Sequence, residues 1–410
     1  MSSFAFPLFR KEWASFLVFT FLSLGAMAQV PIRPDAFPPK DEYLSPKAVS
    51  MADSVSQMAS WDRYPTYYCY LEMMQQWADQ FPSLCHLDTI GRSVNNRLIL
   101  CMVLTGSDED VAKEDRPEFF YSSTIHGDEV AGFHFMLHLI DTLLHSYGTS
   151  VPLTQLMNST IVYINPLANP DGTYFHSNYT VQGSRRDNYN GIDLNRNYPN
   201  PFRSIAKSVV EPENQAMIEY VDAHNFRLGA NLHGGSEVMN YPWDSFTSAQ
   251  RSHPHHIWWQ NVCKRFVDTV RTVDNNRFRD VCPSGVICGG DWYVIYGGRQ
   301  DYFNYYNNLY EMTMEVSTSK TLASERLPFY WKALSQSLIN YIAEIHSMPS
   351  QSSVPEAPVT SLEVNVYPNP SHGVVNVQTP LGISTFDLSG YPAGVHLLQV
   401  DGYWVRVVKL

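Results

Sequence analysis

The sequence predicts an α/β domain with helices on both faces of a sheet, followed by a short β-rich C-terminal segment. Three observations carry this. Short runs of β-forming residues alternate with helix-periodic stretches over most of the chain. The composition, 44% hydrophobic and 13% aromatic, is enough to build a sizeable core. Three chemistry-bearing residues, His126, His233 and Glu315, each fall at or just beyond the end of an expected strand. That is where ligands gather in open α/β sheets.

In chain order, Arg10 and Lys11 precede an apolar run, Trp13 to Leu24, and Ala26-Met27-Ala28 places small residues where a signal peptidase cuts. Residues 1–28 are therefore expected to be a signal peptide. The run is short for a spanning helix, and no second long apolar stretch follows, so no membrane span is expected in the mature protein. Residues 29–60, rich in proline, read as a linker or pro-segment. Tyr67, Leu71, Met74, Trp77 and Phe81 recur at helical spacing up to Pro82. Leu98 to Leu104 and Phe119 to Thr124 read as buried strands, and Val130 to Leu144 as a largely buried helix. The alternation continues with a strand at Ile161 to Ile164, a helix at Ala216 to Ala223 and a strand at Leu228 to Leu232. A strand at Met312 to Val316 and a closing helix at Phe329 to Ile345 complete a domain over residues 61–347. A Ser/Pro-rich linker, 348–358, leads to the β-like segment 359–410.

The formal net charge of -12 disfavours a nucleic-acid partner, because no basic stripe is present to displace counterions. All six cysteines, Cys69, Cys85, Cys101, Cys263, Cys282 and Cys288, lie beyond the expected signal. An even number in an exported chain permits disulfides in about 15 connectivities, with Cys282 and Cys288 the easiest local pair. None has the spacing of a zinc knuckle.

His126 and Glu129 stand three residues apart at a strand-to-helix turn, where both could reach one cation. Hydrolytic zinc sites use three protein ligands, His₂Glu among them, and keep a fourth position open. His233, at a strand end before Gly234 and Gly235, is the candidate for the third. Such a site also needs a base. Glu315 is a carboxylate in an otherwise apolar strand, costly there unless paired or functional, and Glu311 is its rival.

Six segments in order then carry a resemblance: Ile125-His-Gly-Asp-Glu129, Asn165-Pro-Leu-Ala-Asn-Pro-Asp-Gly172, Asp193-Leu-Asn-Arg-Asn197, Glu211-Pro-Glu213, Ala230-Asn-Leu-His-Gly-Gly235 and Glu311-Met-Thr-Met-Glu315. From about Trp61 to Ser347 the chain resembles the catalytic domain of the zinc carboxypeptidases, most of all the regulatory branch that includes carboxypeptidases N, E and D. The resemblance implies a mixed, mainly parallel sheet and one Zn²⁺ held by His126, Glu129 and His233. It implies Glu315 as general base and acid. Asn195 and Arg196 become the clamp on the substrate's terminal carboxylate, and Arg186 the support of the oxyanion, with Arg185 its neighbouring alternative. Tyr293 matches a tyrosine that closes over the substrate. Asp244 and Gln300 match positions that mark a pocket for C-terminal Lys or Arg. The implied partners are peptide or protein C-termini.

The last fifty residues depart from that branch. Val366-Tyr-Pro-Asn-Pro370, Phe386-Asp-Leu-Ser389, Pro392-Ala-Gly-Val-His-Leu-Leu398 and the closing Val407-Val-Lys-Leu410 resemble a shortened sorting domain of type IX secretion cargo. That resemblance implies export to the cell surface and contact with a secretion machinery. Two rival readings stay open at this level. One is a related zinc amidase or deacylase acting on cell-wall peptides. The other is a non-catalytic peptide-binding module.

Overall fold

The computed structural model describes residues 49–107, 112–202, 209–349, 365–379, 382–400 and 403–410. The expected signal peptide and most of the two expected linkers lie outside these residues.

The described chain begins with β1 (Met51–Ala52), which pairs in parallel with β2 (Tyr64–Pro65). Ala52 and Met58 are buried, so residues 49–60, expected to be linker, pack onto the core instead. Helix α1 (Tyr67–Gln80) starts where Thr66 accepts the Cys69 N–H at 3.2 Å. It buries Tyr70, Met73, Met74 and Trp77 along one stripe. β3 (Cys85–Arg92), β4 (Leu98–Leu104) and β5 (Glu118–Ser123) follow, then α2 (Ala131–Ser146), a helix buried on most sides. Next come α3 (Val151–Ser159), β6 (Ile161–Asn165), the short α4 (Pro170–Thr173) and α5 (Pro212–Asp222). β7 (Phe226–His233) turns through Gly235, at φ 114°, into β8 (Ser236–Tyr241). The chain continues with α6 (His256–Val273), β9 (Val286–Cys288), α7 (Gly289–Trp292), α8 (Arg299–Tyr306), β10 (Tyr310–Ser317) and α9 (Leu327–Ala343).

Eight strands form one sheet in the order β3-β4-β6-β5-β7-β10-β8-β9. Its centre, β6-β5-β7-β10, is parallel throughout, while β3, β4 and β8 join antiparallel. The sheet is thus mixed and mainly parallel, as expected. The register sets His233 on β7 directly beside Glu315 on β10, and Asn231 beside Thr313. Because side chains alternate across a strand, Glu311, Thr313 and Glu315 share one face while Met312 and Met314 enter the core on the other.

All six cysteines are free thiols, so the expected Cys282–Cys288 pair does not form. Cys282 Sγ lies against Ser284, whereas Cys288 Sγ faces the Trp243 carbonyl. The C-terminal segment folds as two small antiparallel sheets, β11 (Asn365–Tyr367) to β13 (Gly382–Asp387) around β12 (Val374–Thr379), and β14 (Gly394–Val400) with β15 (Tyr403–Lys409). Val375, Leu388 and Val407 bury a small core between them. Arg406 reaches Asp222 on α5 at 2.9 Å.

Candidate metal centre and active site

Beyond β5 the chain turns through Thr124, whose φ of 64° is left-handed, and delivers Ile125 to Glu129 into the start of α2. Gly127 makes this turn possible, since a Cβ there would lie 2.5 Å from the Gly172 Cα. Its N–H donates to the Arg186 carbonyl at 3.0 Å, which fastens the Arg186 loop to the His126 turn.

Three side chains converge from these segments and from the end of β7. His126 Nδ1 lies 3.0 Å from Glu129 Oε1, His233 Nδ1 lies 2.8 Å from Glu129 Oε2, and the two Nδ1 atoms are 3.0 Å apart. All three residues are buried. The far nitrogen of each ring faces an oxygen: His126 Nε2 meets Asp193 Oδ1 at 3.2 Å, and His233 Nε2 meets Asn231 Oδ1 at 2.5 Å. Those oxygens hold the far nitrogens as N–H donors and turn both Nδ1 lone pairs inward. Lone pairs and carboxylate oxygens are all acceptors, so the cluster calls for positive charge at its centre. The protonation directions of two of the three donors report the same demand, while burial pulls His233 down to about 4. Burial pushes Glu129 up, but the two imidazoles outweigh it and hold the carboxyl well below its usual range. Burial pulls His126 down, but Glu129 and Asp193 outweigh it and raise the ring above its usual value. The donors of His126, Glu129 and His233 all lie within 4.8 Å of one another, and two imidazoles with one carboxylate are a fitting set for Zn²⁺.

Glu315 stands next to this cluster on β10. It is 7% exposed, and its Oε2 has no hydrogen-bond partner among the described residues. Burial, and after it the Glu129 charge, push its carboxyl well above the ordinary range. Glu311, its rival, is fully buried and taken up by Arg299, which donates from Nε at 2.8 Å and from Nη2 at 2.9 Å. The two neighbouring arginines also part in space. Arg186 reaches Asp193 at 2.9 Å and His126 at 3.2 Å, while Arg185 is exposed and stacks 3.7 Å over the Phe175 ring.

The cleft beside the cluster is lined by Arg186, Asn195, Asp244, Tyr293 and Glu315. Asn195 Oδ1 accepts the Arg299 N–H at 2.9 Å, which leaves its NH₂ for another partner. Arg196 is half-buried next to it and donates to the Asn195 carbonyl at 2.8 Å; it lies outside the lining. Tyr293 is 48% exposed at the mouth, edge-on to Trp292. Gln300 is a departure from the expected pocket wall. It is 1% exposed, donates to Asp244 Oδ1 at 2.9 Å and accepts the Thr313 N–H at 2.7 Å, so it stands behind Asp244 instead of in the cleft.

Several residues of the site had no expected role, among them Asp193, Asn231, Trp292 and Lys320. Asp193 and Asn231 hold the imidazoles, and both lie within segments already singled out. Trp292 and Lys320 line the cleft, with Lys320 Nζ 2.9 Å from Asp128 and 3.5 Å from Glu129. A cation five residues past Glu315 was visible in sequence, but its contact across to the His126 turn was not.

The zinc carboxypeptidase family matches residues 70–337 of the chain. Among curated proteins, mouse (Mus musculus) carboxypeptidase M is 35% identical over 284 residues, covering 66% of this chain and 62% of that protein. Carboxypeptidase D of Anas platyrhynchos is 30% identical over 337 residues, covering 79% of this chain but 24% of that protein. The chain thus spans less than two thirds of the length of either relative. Among solved structures, the thrombin-activatable fibrinolysis inhibitor superposes with a TM-score of 0.59 at 18% identity, over 70% of this chain and 74% of that one. Carboxypeptidase A from Helicoverpa armigera gives 0.58 at 18% identity, over 72% and 76%. At that identity the two structures establish the fold alone. The family match, spanning both metal-donor segments and the strand that carries Glu315, makes this chain a member of the zinc carboxypeptidase family.

Proposed function

We propose that the protein is an exported zinc-dependent carboxypeptidase that hydrolyses the last peptide bond of its substrates and prefers C-terminal Lys or Arg. The observation that carries this reading is one cleft joining three convergent metal donors, a carboxylate on the neighbouring strand whose Oε2 has no partner among the described residues, and Asn195, with Arg196 next to it just outside the lining. Zinc held by His126, Glu129 and His233 would supply a Lewis acid that polarises the scissile carbonyl and acidifies water.

The chain's own residues do the rest. Glu315 accepts the proton from the attacking water at the free Oε2 and returns it to the leaving amine. Arg186 faces the developing oxyanion, and Asp193 keeps its guanidinium aimed there. Asn195 and Arg196 hold the terminal carboxylate, so the enzyme reads a chain end, and binding at that remote charge orients the bond to be cut. Tyr293 covers the bound residue. Asp244 pairs with its cationic side chain, and Gln300 holds Asp244 in place.

Export rests on the N-terminal sequence of residues 1–28, and surface sorting on the β segment after residue 359, whose closing motifs resemble type IX cargo. Among the described residues no helix is long and apolar enough to cross a membrane.

The test follows release of amino acids from matched peptides ending in Arg, Lys, Phe or Leu, with and without a chelator. Chelator-sensitive release of Arg and Lys is expected. Release of Phe or Leu instead would keep the enzyme and discard the Asp244 pocket. No release from zinc-loaded protein would discard the carboxypeptidase reading.

A further inference from the structure

Behind Asp244, which lines the cleft, stands a second buried acid that does not line it. Asp301, in the first turn of α8, accepts the Asp244 N–H on Oδ1 and the Ser245 N–H on Oδ2, both at 2.8 Å. Gln300, its neighbour, donates to the Asp244 carboxylate itself. Consecutive residues of α8 therefore hold Asp244 from both ends, one by the main chain and one by the side chain. Asp244 and Asp301 are 3% and 1% exposed, and among the described residues no Lys or Arg forms an ion pair with either. The charged and titratable groups around Asp244 are Arg196 from the turn after Asp193, Glu311 from β10, Cys288 at the end of β9, and Tyr293 after α7. Arg251 faces Asp301 from the loop after β8.

Two buried carboxyls set one behind the other, with Arg196 and Arg251 nearby but in an ion pair with neither, cannot both ionise cheaply. Burial raises both, and the Asp301 charge raises Asp244 further. A cationic side chain entering the pocket supplies the missing charge.

We propose that Asp301 is a positioning residue for specificity, and that the Asp244–Asp301 pair releases a proton to solvent when it takes up a C-terminal Lys or Arg. Selection for cationic residues is then strong at neutral pH and lost in acid, while a neutral C-terminal residue binds without this dependence. This rests on the reading of Asp244 as the pocket acid. The linkage has a definite sign. Below the raised range of the pair, each pH unit weakens binding of a cationic residue by about tenfold, because one proton must leave for it to bind.

The experiment measures binding of free L-arginine and free L-phenylalanine to the zinc-loaded wild-type protein and to Asp301→Asn and Asp244→Asn, from about pH 5 to pH 8. Inhibition constants give the affinities, and calorimetry in buffers of different ionisation enthalpy counts the proton released. For wild type, the arginine-to-phenylalanine affinity ratio should fall in acid, with a proton released on arginine binding. Asp301→Asn should move that fall to lower pH and weaken arginine at pH 8 several-fold more than phenylalanine. An unchanged profile and ratio in Asp301→Asn would reduce Asp301 to a scaffold residue and overturn the proposal. An unchanged ratio in Asp244→Asn would instead remove the pocket reading beneath it. Should Asp301→Asn fail to fold, a flat wild-type ratio with no proton release would be enough to overturn the proposal.

Discussion

Asp193 connects the metal donors to the substrate side of the cleft through a single carboxylate. Its Oδ1 faces His126 Nε2 and accepts the Asn195 N–H, and its Oδ2 takes the Arg186 guanidinium. Burial pushes Asp193 up, but His126, Arg186 and Arg196 outweigh it and hold the carboxyl well below its usual range. It therefore stays ionised wherever the metal can bind. Asp193→Asn is expected to lower zinc affinity by about 10- to 100-fold, measured by competition with a metallochromic chelator. Wild-type affinity in that variant would show that the ring orientation of His126 is fixed elsewhere. Sequence revealed the donors themselves, because His126 and Glu129 are three apart and His233 ends a strand. It did not reveal Asp193's role, because the ring it orients is 67 residues away. The same distance problem hid Asp301, whose acceptor role depends on main-chain groups 56 and 57 residues earlier.

Among the elements, α2 carries an unusual load for a buried helix. His134 is fully buried, and His138 lies between the rings of Trp61 at 4.1 Å and Trp331 at 4.2 Å. Burial pushes both imidazoles down to about 3. The unfolded chain takes up these protons near its usual value of about 6.5, and the fold resists them. Stability is thus fully present above about pH 6.5 and is lost as pH falls toward 3, at roughly 2 kcal/mol per ring by pH 5. Melting temperature should drop between pH 7 and pH 5, and His134→Leu should flatten that drop. An equally steep drop in the variant would place the acid sensitivity in other groups. Elements with one clean period were legible: α1, α2, α9 and the central strands were all expected. Several others were not, α6 and β8 among them. The α6 stripe of Trp259, Val262, Cys263, Phe266 and Val267 follows a His/Pro-rich stretch that obscures its start. β8 carries Glu237 and Asn240 inward, where Arg277 lies 2.6 Å from Glu237 and Gln300 lies 3.3 Å from Asn240, so its polar residues read as loop.

For the whole molecule, the metal site ties the β5–α2 turn to the end of β7, two segments more than 100 residues apart. A ligand that binds only the fold stabilises it by mass action. Chelation should therefore lower the melting temperature by several degrees along with activity, and added Zn²⁺ should restore both; calorimetry with and without chelator would check this. An unchanged melting temperature after verified metal loss would mean that the unfolded chain binds the metal about as well as the fold does. At this scale the order of motifs was what sequence conveyed best. The packing of residues 49–60 was hidden because prolines dominate the stretch before them. The state of the cysteines has a consequence of its own. Burial holds Cys69 up at about 12 and Cys85 and Cys288 at about 11, and it raises Cys101 and Cys263 as well. With five thiols kept protonated and none cross-linked, neither glutathione nor an oxidising lumen finds a bond to break or a reactive sulfur among them. These five positions therefore hold their place without a cross-link, which leaves the half-buried Cys282 as the thiol that an oxidant would meet first.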